Sequence, residues 1–447
     1  MTTVDAVPTS EDSRDVGRRA RDRAPRRAFG EWHPSRRRRD VLDVLTGQNA
    51  IRAADLVPVR WGRMSASPWT FYRGAAAVMA ADLATRPDSG LFVQLCGDAH
   101  LLNFGLWATP ERNLSFDLRD FDETLPGPFE WDVARLVTSV EVLGREHDVP
   151  AGRTAEAVAR CLTAYRTQMA RHAGARVLDV WYDLVHVERF LDVFTDADRP
   201  RAAAHIARKA RRRTHDGAFR KLTETRGGRL RISEDPPFRE HIDDGLADEL
   251  FAGYHDSLPD DRRHLLDRFT PVDAVRQVVG VGSVGMRVHL VLLQGRGPAD
   301  PLFLQVKQAG PAVYEPFCGP SRYSSSGRRV IEGKRLVQSA TDVFVGWTAA
   351  RGHDYYVRQF RDMKVIADGE LLAPRLPEFA TACGHVLARA HARTGDPVAI
   401  AAYLGPGRAF DDGMTAFAAA YADQNAADHA RLTAAITTGE LPATRGW

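Results

Sequence analysis

Gly97-Asp98-Ala99-His100-Leu101-Leu102-Asn103-Phe104-Gly105, followed after a short turn by Phe116-Asp117-Leu118-Arg119-Asp120-Phe121-Asp122-Glu123, is the stretch on which the rest of the chain turns. Leu91 to Leu95 before it is a short apolar run with β-branched and aromatic members, which predicts a buried strand. The Gly-Asp motif therefore sits on a loop just past a strand. Asn113 to Phe116 predicts a second short strand, and the hairpin so formed returns Asp120 to the side of Asp98 and Asn103. Two carboxylates and a carboxamide gathered this way suit Mg²⁺, which prefers hard oxygen ligands and keeps positions open for water and phosphates. A carboxylate not used as a ligand can accept the proton of an attacking hydroxyl. The plainer reading is a loop of solvated turn residues, because Asp, Asn and Gly favour turns through local hydrogen bonds. The full spacing Gly-Asp-x-His-x-x-Asn, with a further Asp after a strand, favours function.

A second group of residues begins at Val275. Val278-Val279-Gly280-Val281-Gly282-Ser283-Val284-Gly285-Met286-Arg287-Val288 sets Gly-x-Gly-x-x-Gly between two β-prone runs. Strands are predicted over Val288 to Leu293 and Leu302 to Val306, the latter ending at Lys307. A dinucleotide fingerprint needs a helix after its glycines, whereas a strand follows here. Strand, glycine loop, strand, strand and lysine is instead the order of a kinase nucleotide lobe, in which backbone amides approach phosphates and the lysine contacts them. The next predicted helix, Arg328 to Ser339, carries Glu332, a candidate partner for Lys307, with Glu315 as its competitor. Phe344 to Trp347 and Asp354 to Phe360 predict further strands, and the stretch to Lys364 a hinge. A glycine-rich hairpin in a plain antiparallel sheet is the alternative for the whole set.

Gly97, Asp98, His100 and Asn103 resemble the catalytic loop of aminoglycoside and choline phosphotransferases, relatives of the protein kinases, with Asp120 where their second metal-binding aspartate follows. The resemblance implies Asp98 as general base, Asn103 and Asp120 as Mg²⁺ ligands, and His100 as a brace for the loop. It extends to an Asp-hydrophobic-Ala helix opening at Asp132, which implies that Asp132 holds the loop. Phe379 to His391 is similar to the helix that precedes that loop. From about Arg63 to its C-terminal region the chain also resembles an uncharacterised bacterial family, the domain-of-unknown-function family numbered 2252, which implies no substrate.

In kinases the glycine loop and lysine precede the catalytic aspartate, and here they follow it. The resemblance therefore implies a circularly permuted, kinase-like α+β fold, or a coincidence in one of the two groups. Permutation is physically acceptable where old termini lie close and new ones fall in exposed segments. The expected organisation is an Arg-rich disordered tail over 1–40, a helical catalytic lobe over 41–269, an antiparallel-sheet nucleotide lobe over 270–365, and helices over 366–447 that complete the catalytic lobe. The expected activity is Mg²⁺- and ATP-dependent phosphoryl transfer to a hydroxyl or similar acceptor, small-molecule or protein. The nucleotide is expected to be held by Gly280, Gly282, Ser283, Gly285, Lys307 and Glu332. A pseudokinase-like module that binds nucleotide without turnover is the alternative, and metal-dependent hydrolysis at the acidic loop alone would leave Lys307 and the glycines without a role.

The rest of the 447 residues sets bounds. A hydrophobic content of 44% supports a large core. The 61 basic and 58 acidic residues nearly cancel, so overall charge does not argue for nucleic acid. Arg14, Arg18, Arg19, Arg21, Arg23, Arg26, Arg27 and Arg36 to Arg39 crowd the first forty residues, a solvated tail or a contact for a polyanion. A second basic run, Arg208, Lys209, Arg211 to Arg213, Arg220 and Lys221, reads as a solvated helix face or a docking surface for an anionic substrate. Arg63 and Arg73 could grip phosphate oxygens or pair with a buried acid. Cys96, Cys161, Cys318 and Cys383 are scattered, without the spacing of a zinc site or disulfide framework, and fit a reducing cytoplasm. No apolar run of about 18 residues and no secretory apolar core is present, so no membrane is expected.

Overall fold

The computed structural model describes residues 9–35, 37–192, 199–212, 215–227, 229–278, 282, 284–297, 300–360, 365–366 and 372–444. The chain is an α+β protein whose sheets are antiparallel throughout. Among the described residues no helix is long and apolar enough to cross a membrane.

Strand β1 (Phe92–Leu95) leads into the Gly-Asp loop, and β2 (Phe104–Ala108) and β3 (Leu114–Leu118) form the expected hairpin. Phe104 pairs with Leu118, so Asn103 and Asp120 flank the last rung. Strand β4 (Leu125–Pro128) pairs back onto β1, with Phe92 opposite Pro128. The acidic cluster thus lies between two small sheets.

After the short hairpin β5 (Thr223–Arg226) and β6 (Arg229–Ile232), six strands make the main sheet. They are β7 (Arg239–His241), β8 (Thr270–Gln277), β9 (Val288–Gln294), β10 (Pro301–Ala309), β11 (Gly346–Ala350) and β12 (His353–Gln359). Their order is β11-β12-β10-β9-β8-β7. Alternation along β10 explains its two faces. Leu302, Leu304 and Val306 pack beneath Leu250 and Tyr254 of the helix Asp244–Asp256, whereas Gln305 and Lys307 face the acidic loop. The final strand, β13 (Val365–Ile366), pairs with β2, not with the main sheet.

The helices Phe129–Glu146, Ala151–Ala173 and Leu376–Thr394 carry most of the large core, with the long helix Ala409–Thr437 alongside. Three expectations need correction. The helical lobe is expected over 41–269, yet within it Ala218, Leu222 and Ile232 pack on Val275, Leu290 and Phe303, and Leu250, Tyr254, Leu258 and Leu266 on the other sheet face. The stretch from Ala218 to Leu266 belongs with the sheet because its apolar residues cover it. The sequence also predicts a helical segment over Val177 to Phe194, and the structure interrupts it between Val177–Tyr182 and Val187–Leu191, where the Val185 carbonyl instead accepts the Phe116 amide at 2.8 Å; Phe194 itself lies outside the described residues.

The third correction concerns the tail. Ser10–Arg23 is a helix, opened by a reciprocal cap between Thr9 and Asp12. It buries Ser13, Gly17 and Ala20 against the helix Pro397–Leu404. The approach is so close that a Cβ at Gly17 would lie 2.0 Å from the Ala399 carbonyl. Beyond it Phe29 meets Phe410 at 5.8 Å and Trp32 meets Tyr421 at 5.1 Å between ring centroids. Arg38 pairs with both Asp82 and Asp428. The arginines are anchored here by protein acceptors: Arg21 donates to the Tyr403 carbonyl at 3.0 Å and Arg26 to that of Leu404 at 2.6 Å.

One buried acid sets a pH dependence. Glu130, at the start of its helix, accepts the Ser89 amide at 2.5 Å and the Ser89 hydroxyl at 2.8 Å, and burial pushes its carboxyl up to about 7 from the ordinary 4.5. The folded chain holds this proton where the unfolded chain has lost it. The resulting stabilisation is complete below pH 4.5 and is lost as pH rises through 7, at about 1.4 kcal/mol per unit at most. Glu130→Gln cannot titrate, so the melting temperature of wild type relative to this variant should fall between pH 5 and pH 8. A difference independent of pH would place the carboxyl's titration outside that window.

Candidate active site

The Gly-Asp loop is pinned from three helices. Asp132 accepts the Cys96 amide at 2.7 Å and the Gly97 amide at 3.1 Å, and it is held in turn by His391, whose Nε2 lies 3.3 Å away. His391 uses its other nitrogen on the Tyr165 hydroxyl at 2.7 Å. Both residues are fully buried, so they support the loop from behind. Gly97 has φ +86°, and a Cβ there would lie 2.2 Å from the Glu123 carbonyl, so the sharp turn requires glycine. Tyr314 closes the loop with a 2.7 Å hydrogen bond to the Gly97 carbonyl.

Asp98 stands at the tip. Arg135 Nε donates to its Oδ1 at 2.9 Å, and the same guanidinium lies 3.8 Å from the Tyr72 ring centroid and donates to the Tyr72 carbonyl. The Oδ2 atom is 3.6 Å from His100 Nε2. Burial raises the Asp98 carboxyl above the ordinary value, with Arg135 opposing and Asp120 assisting. Burial, with Arg73 and Arg135 beside it, pushes His100 well down, so that ring is neutral. Asn103 donates Nδ2 to the Asp98 carbonyl at 2.7 Å, a bond that does not use its side-chain oxygen.

Asp117, one strand residue before the cluster, is locked by Arg389 at 2.5 Å and by the amide and hydroxyl of Ser339. It is structural. Asp120 differs, because its Oδ1 is buried without a hydrogen bond and lies 3.9 Å from Lys307 Nζ. Burial works to raise this carboxyl, but Lys307, Arg358, Arg119 and Lys334 carry it below the ordinary value. Lys307 bonds Asp122, which also accepts the Tyr356 hydroxyl at 2.7 Å. Burial alone would lower the Lys307 ammonium; Asp120 and Asp122 raise it, so it stays charged. Next along, Glu123 accepts the Val313 amide at 2.8 Å, and burial pushes it up to about 7.

Asp98, Asn103, Asp120, Lys307 and Gly282 line one cavity of about 340 Å³. The glycine segment is held over it by residues that the sequence did not single out. Arg52 donates to the carbonyls of Gly282 and Val284, and the Ala53 amide donates to Gly285 at 2.7 Å. Gly280 and Ser283 lie outside the described residues, as do Lys364 of the expected hinge and Arg213 of the basic run.

The expected pairing of Lys307 with Glu332 is not formed. Glu332 pairs with Arg335 at 3.3 Å, and Glu315 lies 3.8 Å from Arg329. The helix Ser326–Val337 turns Arg329 and Lys334 inward, and Arg329 donates to the carbonyls of Asp122, Thr124 and Gly310. Lys307 therefore takes its carboxylate from the acidic cluster. Asp122 was visible there as a third acid two residues past Asp120; Arg135 and Arg358 had no local signal.

A family model described as "Uncharacterized protein conserved in bacteria (DUF2252)" matches residues 52–435. The chain belongs to the DUF2252 family. No curated protein and no solved structure matches it. The DUF2252 region starts at Arg52, the residue that grips the glycine segment, and takes in Asp98, Asp120, Lys307 and His391. The docked helix Ser10–Arg23 precedes it.

Proposed function

We propose that this DUF2252 chain is a Mg²⁺- and ATP-dependent phosphotransferase of permuted kinase-like design, acting on a hydroxyl or similar acceptor. The observation that carries the reading is the single cavity into which Asp98, Asp120, Lys307 and the glycine segment converge from distant parts of the sequence. In this reading the γ-phosphate is held by Lys307 and by glycine-segment amides, groups that let phosphate approach closely. Asp98 accepts the acceptor's hydroxyl proton as the acceptor oxygen bonds to the γ-phosphorus. The bond from that phosphorus to the β–γ bridging oxygen breaks, and ADP leaves with the electron pair.

Asn103 and Asp120 suit Mg²⁺ because the Asp120 Oδ1 is orphaned and the Asn103 side-chain oxygen is not used in its bond to Asp98. Among the described residues no three His, Cys, Asp or Glu side chains form a ready-made metal site. A Mg²⁺ held by one or two protein oxygens plus substrate phosphates needs none. When bound it would spread the charge of the transferring group. Against turnover stands the Arg135 guanidinium on Asp98, which weakens a base; it favours the alternative, a nucleotide-binding module without transfer.

Calorimetry tests the metal assignment. Asp120→Asn should weaken ATP binding in Mg²⁺ by about tenfold or more, roughly 1.4 kcal/mol, and change it little in EDTA. Equal losses in both conditions would remove Asp120 from the metal. Failure of wild type to bind ATP at all would overturn the kinase-like reading.

A further inference from the structure

Resting on the phosphotransferase reading, we infer that the acceptor is a small molecule carrying an anionic group, a carboxylate or a phosphate monoester, which the Arg73 guanidinium holds while its hydroxyl is presented to Asp98. Among the described residues, the other cations that line the cavity are engaged. Lys307 is on Asp122 and Asp120. Arg52 donates to the Gly282 and Val284 carbonyls, Arg119 to the Leu102 carbonyl, and Arg358 to Gln305 and the Arg119 carbonyl. Arg73 lines the same space, its Nε is buried without a hydrogen bond, and among the described residues no carboxylate pairs with it. A partly buried guanidinium with no counter-ion is costly unless an anion completes it.

Arg73 shares its cavity with Asp98 and His100. The charge that reaches it is that of Asp98, whereas Lys307 and Arg358 feel Asp120 and Asp122. Arg73 also acts on His100, the neighbour of Asp98 Oδ2. An anion on Arg73 would share the cavity with Asp98 and His100. Size narrows the class. The cavity is about 340 Å³, and a Cβ at Gly282 would lie 3.3 Å from the Arg73 carbonyl, so the space beside Arg73 is narrow and suits a small molecule.

The test uses full-length protein and two probes, inorganic phosphate and acetate, titrated by calorimetry with and without saturating Mg²⁺ and a non-hydrolysable ATP analogue. The analogue fills the γ-phosphate position, so anion binding in its presence reports the acceptor side. At least one anion should bind wild type at one site, about ten- to hundredfold more tightly than Arg73→Gln, with Arg73→Lys in between. Preference for phosphate assigns a phosphate monoester and preference for acetate a carboxylate. Melting curves check that each variant is folded. Binding of neither anion to wild type, or equal binding to wild type and folded Arg73→Gln, overturns the inference. Should the analogue fail to bind, the nucleotide reading falls, and the arm without analogue still reads whether Arg73 holds an anion.

Discussion

Asp98→Asn should retain Mg²⁺-ATP affinity near that of wild type while losing phosphoryl transfer by about 10² to 10⁴, the range for a general base, or about 3 to 5 kcal/mol of barrier. The geometry makes the substitution clean on the protein side. Asparagine keeps an Oδ1 to accept Arg135 Nε, and it removes the carboxylate charge and the Oδ2 that stands toward His100. Calorimetry with Mg²⁺-ATP, paired with turnover on acceptors found among small anionic alcohols, reads both quantities. Turnover that survives in the variant removes Asp98 from the chemistry. A wild type that binds nucleotide, yet turns over no faster than Asp98→Asn with any acceptor, is a binding module.

The second large effect lies far from the cavity. Arg38 is 15% exposed and bridges Asp82 and Asp428, 5% and 6% exposed, with four hydrogen bonds between 2.6 and 2.8 Å. Removing one partner of a buried ion cluster strands the others, at a cost of about 3 to 5 kcal/mol. Arg38→Ala should therefore lower stability by that amount in denaturant unfolding, although Tyr421 and Gln424 still reach the two carboxylates. Deleting residues 1–38 should cost more, since it also uncovers Phe410 and Tyr421. A deletion with unchanged stability would restore the disordered-tail expectation.

That tail shows what the sequence conceals. Its helix packs through Ser13, Gly17 and Ala20, a stripe too small to register as an apolar face, and its arginines answer to backbone carbonyls that no local pattern announces. By contrast, the β2–β3 hairpin and the strands on either side of the glycine segment were legible, because each depends on residues near in sequence or on alternation along a strand, whereas the support of the loop by Asp132 came only from the resemblance to phosphotransferases. The partner of Lys307 was not. Which carboxylate meets that lysine is decided by how the helix Ser326–Val337 is rotated, and it turns cations inward. Arg73 reads in the sequence as a candidate phosphate grip or ion pair; that its Nε is buried without a hydrogen bond among the described residues emerges only from the folded packing.

The helix Leu376–Thr394 supplies Arg389 to Asp117 and His391 to Asp132, two fully buried acids of the segment around the Gly-Asp loop. On the ribosome that segment is made first, and its partners emerge after the whole six-stranded sheet. Until then Asp117 lacks its Arg389 partner and Asp132 the ring nitrogen of His391, so the buried contacts of this segment are completed only after the sheet has been made.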